Sequence, residues 1–107
     1  MNTLDLVRLI GDIVTELDVI RSDWRIKLDD KIALDNFRDR LDAVQKILIR
    51  NAFRAQTSQV NSAAQQLIGL NDGLKKELKD LQGITQALHT LTQLVDILER
   101  VAGLRTW

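Results

Sequence analysis

The sequence predicts an all-α fold, an antiparallel helical bundle of three to four helices. The 107 residues contain no proline and only five glycines, which leaves little material for β-hairpins or long loops. Apolar residues recur at alternating intervals of three and four over most of the chain, the spacing of one face of an α-helix. With 45% hydrophobic residues, the chain has an ordinary globular composition, so residues 1–107 are predicted to form a single all-helical domain.

The first helix is predicted near residues 3–27, with Thr3 as its N-cap. The apolar residues on one face of this helix are Leu6, Ile10, Ile13, Leu17, Ile20 and Trp24. This pattern places Trp24 in the core, with its indole N–H satisfied at the helix end. The pattern fails at Lys27, and two consecutive aspartates after it can cap a new helix. A break is therefore predicted between residues 28 and 31.

The second helix is predicted near residues 30–55, and its apolar face begins with Leu34, Phe37, Leu41, Val44 and Leu48. Ile49 and Phe53 are one turn apart and point to the side of this face. The cations next to them are Lys46, Arg50 and Arg54. An apolar pair beside three cations is a candidate surface for an acidic partner or an anionic membrane. We expect the other arrangement, in which a neighbouring helix of the same bundle covers Ile49 and Phe53.

The last helical region is predicted near residues 58–103, either continuous or broken at 71–73 or at Gly83. Its apolar residues at intervals of seven are Val60, Leu67, Leu74, Leu81, Leu88, Val95 and Ala102. This heptad repeat favours one continuous helix in an extended, coiled-coil-like hairpin, which is the expected form. Asn-Asp-Gly at 71–73 and the glycine at 83 favour turns, and turns would give a compact four-helix bundle. Gly103 is predicted to end the last helix in the left-handed conformation.

The segment 84–104 has apolar positions over half of the helix circumference or more, at about 100° per residue. Such a helix needs partners on more than one side, and Leu91 lies in the middle of its core face. The candidate interaction residues on this segment are Leu94, Ile97 and Val101. The polar residues after Gln56 are largely uncharged, so this half of the chain is easier for a partner to cover.

We expect no catalytic, cofactor or metal site. The chain has no cysteine and a single histidine, and His89 is placed on the outer polar arc of its helix without a second metal ligand at helical spacing. The Gly-rich segment 69–73 lacks the Gly-Lys-Ser/Thr ending of a phosphate-binding loop. Fifteen basic and fifteen acidic residues leave no positive excess for binding nucleic acid.

The sequence therefore predicts a non-catalytic interaction or assembly module that associates with itself or with another helical protein. The alternative is a membrane-active bundle, pore-forming or membrane-inserting, in which the first or last helix leaves the core. The N-terminus has no basic stretch before its apolar residues, so we expect no signal peptide and a cytoplasmic location, with leaderless export as the alternative.

Overall fold

A computed structural model describes residues 2–50 and 57–104, which form four α-helices and contain no strand. The helices are α1 (Thr3–Arg21), α2 (Leu28–Arg50), α3 (Thr57–Glu77) and α4 (Ile84–Val101), and a 3₁₀ turn, Leu81–Gly83, precedes α4. The predicted all-α helical bundle is confirmed. Its extents of 42 × 22 × 22 Å are those of a compact bundle, so the expected extended hairpin is wrong.

The N-cap of α1 is Asn2, and the prediction of Thr3 is wrong by one residue. The Asn2 side chain accepts a hydrogen bond of 2.9 Å from the Asp5 backbone N–H. The Asp5 carboxylate accepts one of 3.0 Å from the Asn2 backbone N–H. Because the two bonds satisfy donors at both positions of this capping box, the helix begins at Thr3, one residue earlier than a cap at Thr3 would allow.

Trp24 is 85% exposed, so its predicted place in the core is wrong. The reason is that α1 ends at Arg21 rather than near residue 27, and the helical period no longer governs residues beyond it. Ile26, in the same turn, is 7% exposed and belongs to the core cluster. α2 then begins at Leu28, earlier than the predicted residue 30, with two aspartates in its first turn, where carboxylates favour a helix N-terminus.

α3 runs through Asn-Asp-Gly at 71–73, where a break was one of the predicted alternatives. The helix ends at Glu77 instead, and the chain reverses before Ile84, so the continuous helix over residues 58–103 is wrong and the break at Gly83 is confirmed. A Cβ atom at Gly83 would overlap the carbonyl oxygen of Glu77. The seven-residue spacing of apolar residues continues through the turn, because Leu78 and other apolar residues of the turn also pack against the core.

The four helices form two antiparallel hairpins, α1 with α2 and α3 with α4, packed so that α1 contacts α3 and α2 contacts α4. Antiparallel pairing of the first hairpin follows from two ion pairs, Arg38–Asp18 at 2.7 Å and Arg21–Asp35 at 2.6 Å. Arg25 of the α1–α2 turn interacts electrostatically with Asp80 of the α3–α4 turn. Glu16 of α1 interacts in the same way with Lys75 of α3. Both turns therefore lie at one end of the bundle, called here the turn end.

α4 is the most enclosed helix, and Leu91 at its centre is fully buried, as predicted. Its apolar arc packs against α3 on one side and α2 on the other. Across the α2 side, Arg40 Nη2 donates a hydrogen bond of 2.5 Å to Glu99 Oε1. The partners that this wide arc requires are thus supplied by the chain itself.

The end of α4 is closed by Gly103, which has φ 82° and takes the left-handed conformation as predicted. The Leu104 N–H donates to the Glu99 carbonyl at 2.8 Å, and the Gly103 N–H donates to the Arg100 carbonyl at 3.1 Å. This pair of bonds is a Schellman motif, which satisfies carbonyls that have no partner within the helix.

Candidate interaction surfaces

The three candidate interaction residues of α4 do not form a surface. Leu94 is fully buried, Ile97 is 8% exposed, and both belong to the core cluster. Val101 is partly buried and packs against the same cluster. None of the three side chains forms an open apolar face for a partner, because α2 and α3 already pack against this helix.

The candidate residues at the end of α2 are placed differently. Ile49 is 58% exposed, so the expectation that the bundle covers it is wrong. Lys46 and Arg50 are exposed beside it, and Phe53 and Arg54 lie outside the described residues. Lys46 Nζ lies 3.1 Å from Asp42 Oδ2 in a pair one helical turn apart. Such an exposed pair contributes only about 0.3–0.5 kcal/mol, so Lys46 remains available to a stronger partner.

Three large apolar residues are exposed at the turn end of the bundle. Trp24 lies in the α1–α2 turn, and Leu28 and Ile32 lie on the first two turns of α2. They are 85%, 71% and 49% exposed and are called here the Trp24 patch. Leu28 and Ile32 are one turn apart on α2, on the side opposite the buried Leu34 and Leu41. The four-residue spacing of Leu28 and Ile32 is visible in the sequence. It indicates an exposed apolar surface only once it is known that α1 ends before Trp24.

The rim of the Trp24 patch carries charges of both signs in fixed pairs. Arg25 donates to Asp23 from its guanidinium, at 2.8 Å from Nη2, and from its backbone N–H at 3.0 Å. The guanidinium hydrogen bond is the larger cause, and the two bonds lower the pKa of Asp23 to about 2. Arg21 likewise lowers the pKa of Asp35, chiefly by its side-chain hydrogen bond. An apolar centre with a polar, charge-balanced rim is the usual composition of a protein interface.

A groove of about 380 Å³ lies between α1 and α3. Its lining residues are Thr15, Glu16, Val19, Ile20, Lys75, Leu78 and Lys79. Within the described ranges, Glu16 Oε2 is buried and has no hydrogen-bond partner. Burial raises the pKa of Glu16, against the smaller, opposing effect of Lys75. The groove therefore contains a carboxylate that is more easily protonated than an exposed one.

The outward side of α3 is free of formal charge over most of its first half. Its exposed residues between 61 and 69 are Asn61, Ser62, Gln65, Gln66, Ile68 and Gly69. Ile68 is 48% exposed in the middle of this stretch. These neutral groups cost less to desolvate than ions, so α3 provides a second surface that a protein can cover at low cost.

The described residues provide no group of three or more His, Cys, Asp or Glu side chains that could hold a metal ion. His89 is exposed on α4, as predicted, and its Nε2 lies 3.4 Å from the Gln93 side-chain nitrogen. None of the helices in the described ranges is long and apolar enough to cross a membrane.

The chain matches no protein-family model, and no curated protein or solved structure shows significant similarity to it.

Proposed function

We propose that this protein is a non-catalytic interaction module that binds a helical protein, either a second copy of itself or another chain. The observation that carries the proposal is the Trp24 patch. Exposed hydrophobic residues scattered singly are normal on a soluble protein, but a turn tryptophan followed by two exposed apolar residues on the first turns of the next helix favours a contact site. Tryptophan is also the residue type that most often dominates the binding energy of protein interfaces.

The energy available at this patch is large for its size. Covering a tryptophan removes roughly 150–250 Å² from water, worth roughly 4–6 kcal/mol at about 25 cal/mol per Å² before the costs of association. Leu28 and Ile32 add to this area on the rigid first turns of α2, so little side-chain entropy is lost on binding. A helix fits the patch best, because Leu28 and Ile32 form a ridge that packs into the groove of another helix.

The test compares the wild-type protein with the double variant Trp24→Ser, Leu28→Ser. Light scattering over a hundredfold range of concentration measures self-association, and affinity capture from a cell lysate measures binding to other proteins. We expect the wild-type protein to associate in at least one of these assays and the double variant to lose that association. Its melting temperature should change little, because both side chains are exposed.

The matched control is Leu4→Ser, since Leu4 is 59% exposed on α1 and lies at the other end of the bundle. This variant should associate like the wild-type protein. The proposal is wrong if the wild-type protein stays monomeric and captures nothing. Co-sedimentation with anionic liposomes is measured in parallel. The proposal is also wrong if liposome binding is the only binding that the double variant loses, a result that would favour the membrane-active alternative.

A further inference from the structure

The outward side of α2 carries an ordered pattern of charge. Its exposed residues at intervals of three or four are Leu28, Ile32, Asn36, Asp39, Ala43, Lys46 and Arg50. They form one stripe, called the outer α2 stripe, about 33 Å long at 1.5 Å per residue. Because Leu34, Leu41 and Leu48 are buried on the opposite side of the helix, the stripe points directly away from the bundle.

The charges of the outer α2 stripe are arranged around Ala43. Asp39 precedes this alanine by about one turn, and Lys46 and Arg50 follow it. Asp39 makes no ion pair with the described part of the chain, and neither does Arg50. The stripe thus presents an acid on one side of a small residue and two bases on the other, of which Lys46 is held only by its exposed pair with Asp42.

We infer that the outer α2 stripe is the docking surface for a second copy of this chain, with the two α2 helices antiparallel and crossing at Ala43. A two-fold axis through Ala43 places Asp39 beside the partner's Lys46, and the same pair forms again on the other side of the axis. A parallel pairing would place Asp39 beside the partner's Asp39, so repulsion excludes it. The small side chain of Ala43 lets the two helix axes approach to about 8–10 Å.

The ends of the outer α2 stripe strengthen this arrangement. The two-fold axis at Ala43 places Asn36 of each copy opposite the partner's Arg50, which sets a neutral hydrogen-bonding group beside a cation. The acidic half of the stripe disfavours an anionic membrane as the occupant. The inference rests on the proposed function and deepens it, since Leu28 and Ile32 belong to both the Trp24 patch and the stripe.

The test uses two charge reversals on the full chain, Asp39→Lys and Lys46→Asp, alone and mixed in equal amounts. Sedimentation velocity over a hundredfold range of concentration measures the dissociation constant. Each variant alone should associate at least about tenfold more weakly than the wild-type protein, because like charges then face each other. The mixture should regain wild-type association as a heterodimer, since one variant then carries only positive and the other only negative charge at these two positions.

The matched control is Asp72→Lys, a charge reversal at an exposed position of α3, which should leave dimerisation unchanged. Circular dichroism melting shows that each variant is folded. The inference is overturned if the wild-type protein is monomeric throughout, or if the mixture associates no better than its components. If the wild-type protein is monomeric but captures another protein through the Trp24 patch, this inference fails while the proposed function stands.

Discussion

At the scale of single residues, the half-buried carboxylate of Glu16 makes stability depend on pH. Its pKa is raised by burial in the folded chain, so the folded state binds the proton more tightly than the unfolded state. The contribution of Glu16 is most favourable below the unfolded pKa and is lost as pH rises through the folded pKa. At pH 7 the charged carboxylate therefore lowers the free energy of unfolding.

We predict that Glu16→Gln raises the free energy of unfolding at pH 7 by only a few tenths of a kcal/mol, because solvent screens much of this half-buried side chain, and changes it little at pH 4. Urea denaturation at the two pH values measures this difference. Asp72→Asn, at an exposed position of α3, is the control and should have a small effect at both. A Glu16→Gln variant that is less stable at pH 7 would contradict the argument.

Ile49 and Leu48 are adjacent residues with opposite environments, at 58% and 2% exposure. We predict that Ile49→Ser changes the free energy of unfolding by only a few tenths of a kcal/mol, as expected of a surface site. Leu48→Ser should cost several kcal/mol, because it leaves a cavity and a buried hydroxyl. Thermal melting of the two variants compares them directly. Equal losses would mean that Ile49 is covered after all.

Single-residue environments could be predicted from the sequence where they follow from helical phase within an uninterrupted helix. Leu91 is buried and His89 is exposed for that reason. Trp24 could not be placed, because its environment depends on whether the helix reaches it. The wide apolar arc of α4 predicts that Leu94 and Ile97 are covered. It does not predict whether the same chain or a partner covers them, and the core cluster shows that the same chain does.

At the scale of elements, the turn between α3 and α4 depends on a close backbone approach at Gly83. We predict that Gly83→Ala costs at least about 2 kcal/mol, because the new Cβ displaces the Glu77 carbonyl and strains the turn. Gly69→Ala should instead stabilise the protein by about 0.5–1 kcal/mol, since a Cβ at this position inside α3 contacts nothing within 4 Å. Chemical denaturation of both variants tests the contrast, and a neutral Gly83→Ala would show that the turn can shift freely.

The existence and order of the helices could be predicted from apolar spacing, but the breaks between them only in part. Asn-Asp-Gly at 71–73 has turn chemistry and is nevertheless helical, because the buried Leu67 and Leu74 hold this part of α3 against the core. The heptad repeat continued through a real reversal, since apolar residues of the turn serve the same core as those of the helices. Periodicity reports which residues face the core and not whether the chain is straight.

At the scale of the whole molecule, stability depends on one core in which Leu91 of α4 is central. We predict that Leu91→Asp costs at least about 3 kcal/mol, because it leaves a buried charge without a partner, or that it prevents folding. Gln93→Asp, at an exposed position of the same helix, should change stability by less than about 0.5 kcal/mol. Circular dichroism melting distinguishes the two. Native melting of Leu91→Asp would show that this helix does not form the centre of the core.

The turn end of the bundle has a practical meaning for protein engineering. Since both helix–helix turns lie there, the chain leaves the bundle at the opposite end, near Asn2 and Leu104. A fluorophore, a surface tether or a fused protein attached beyond either residue is far from Trp24. The module can therefore be immobilised or carried in a longer polypeptide without masking the exposed Trp24 side chain.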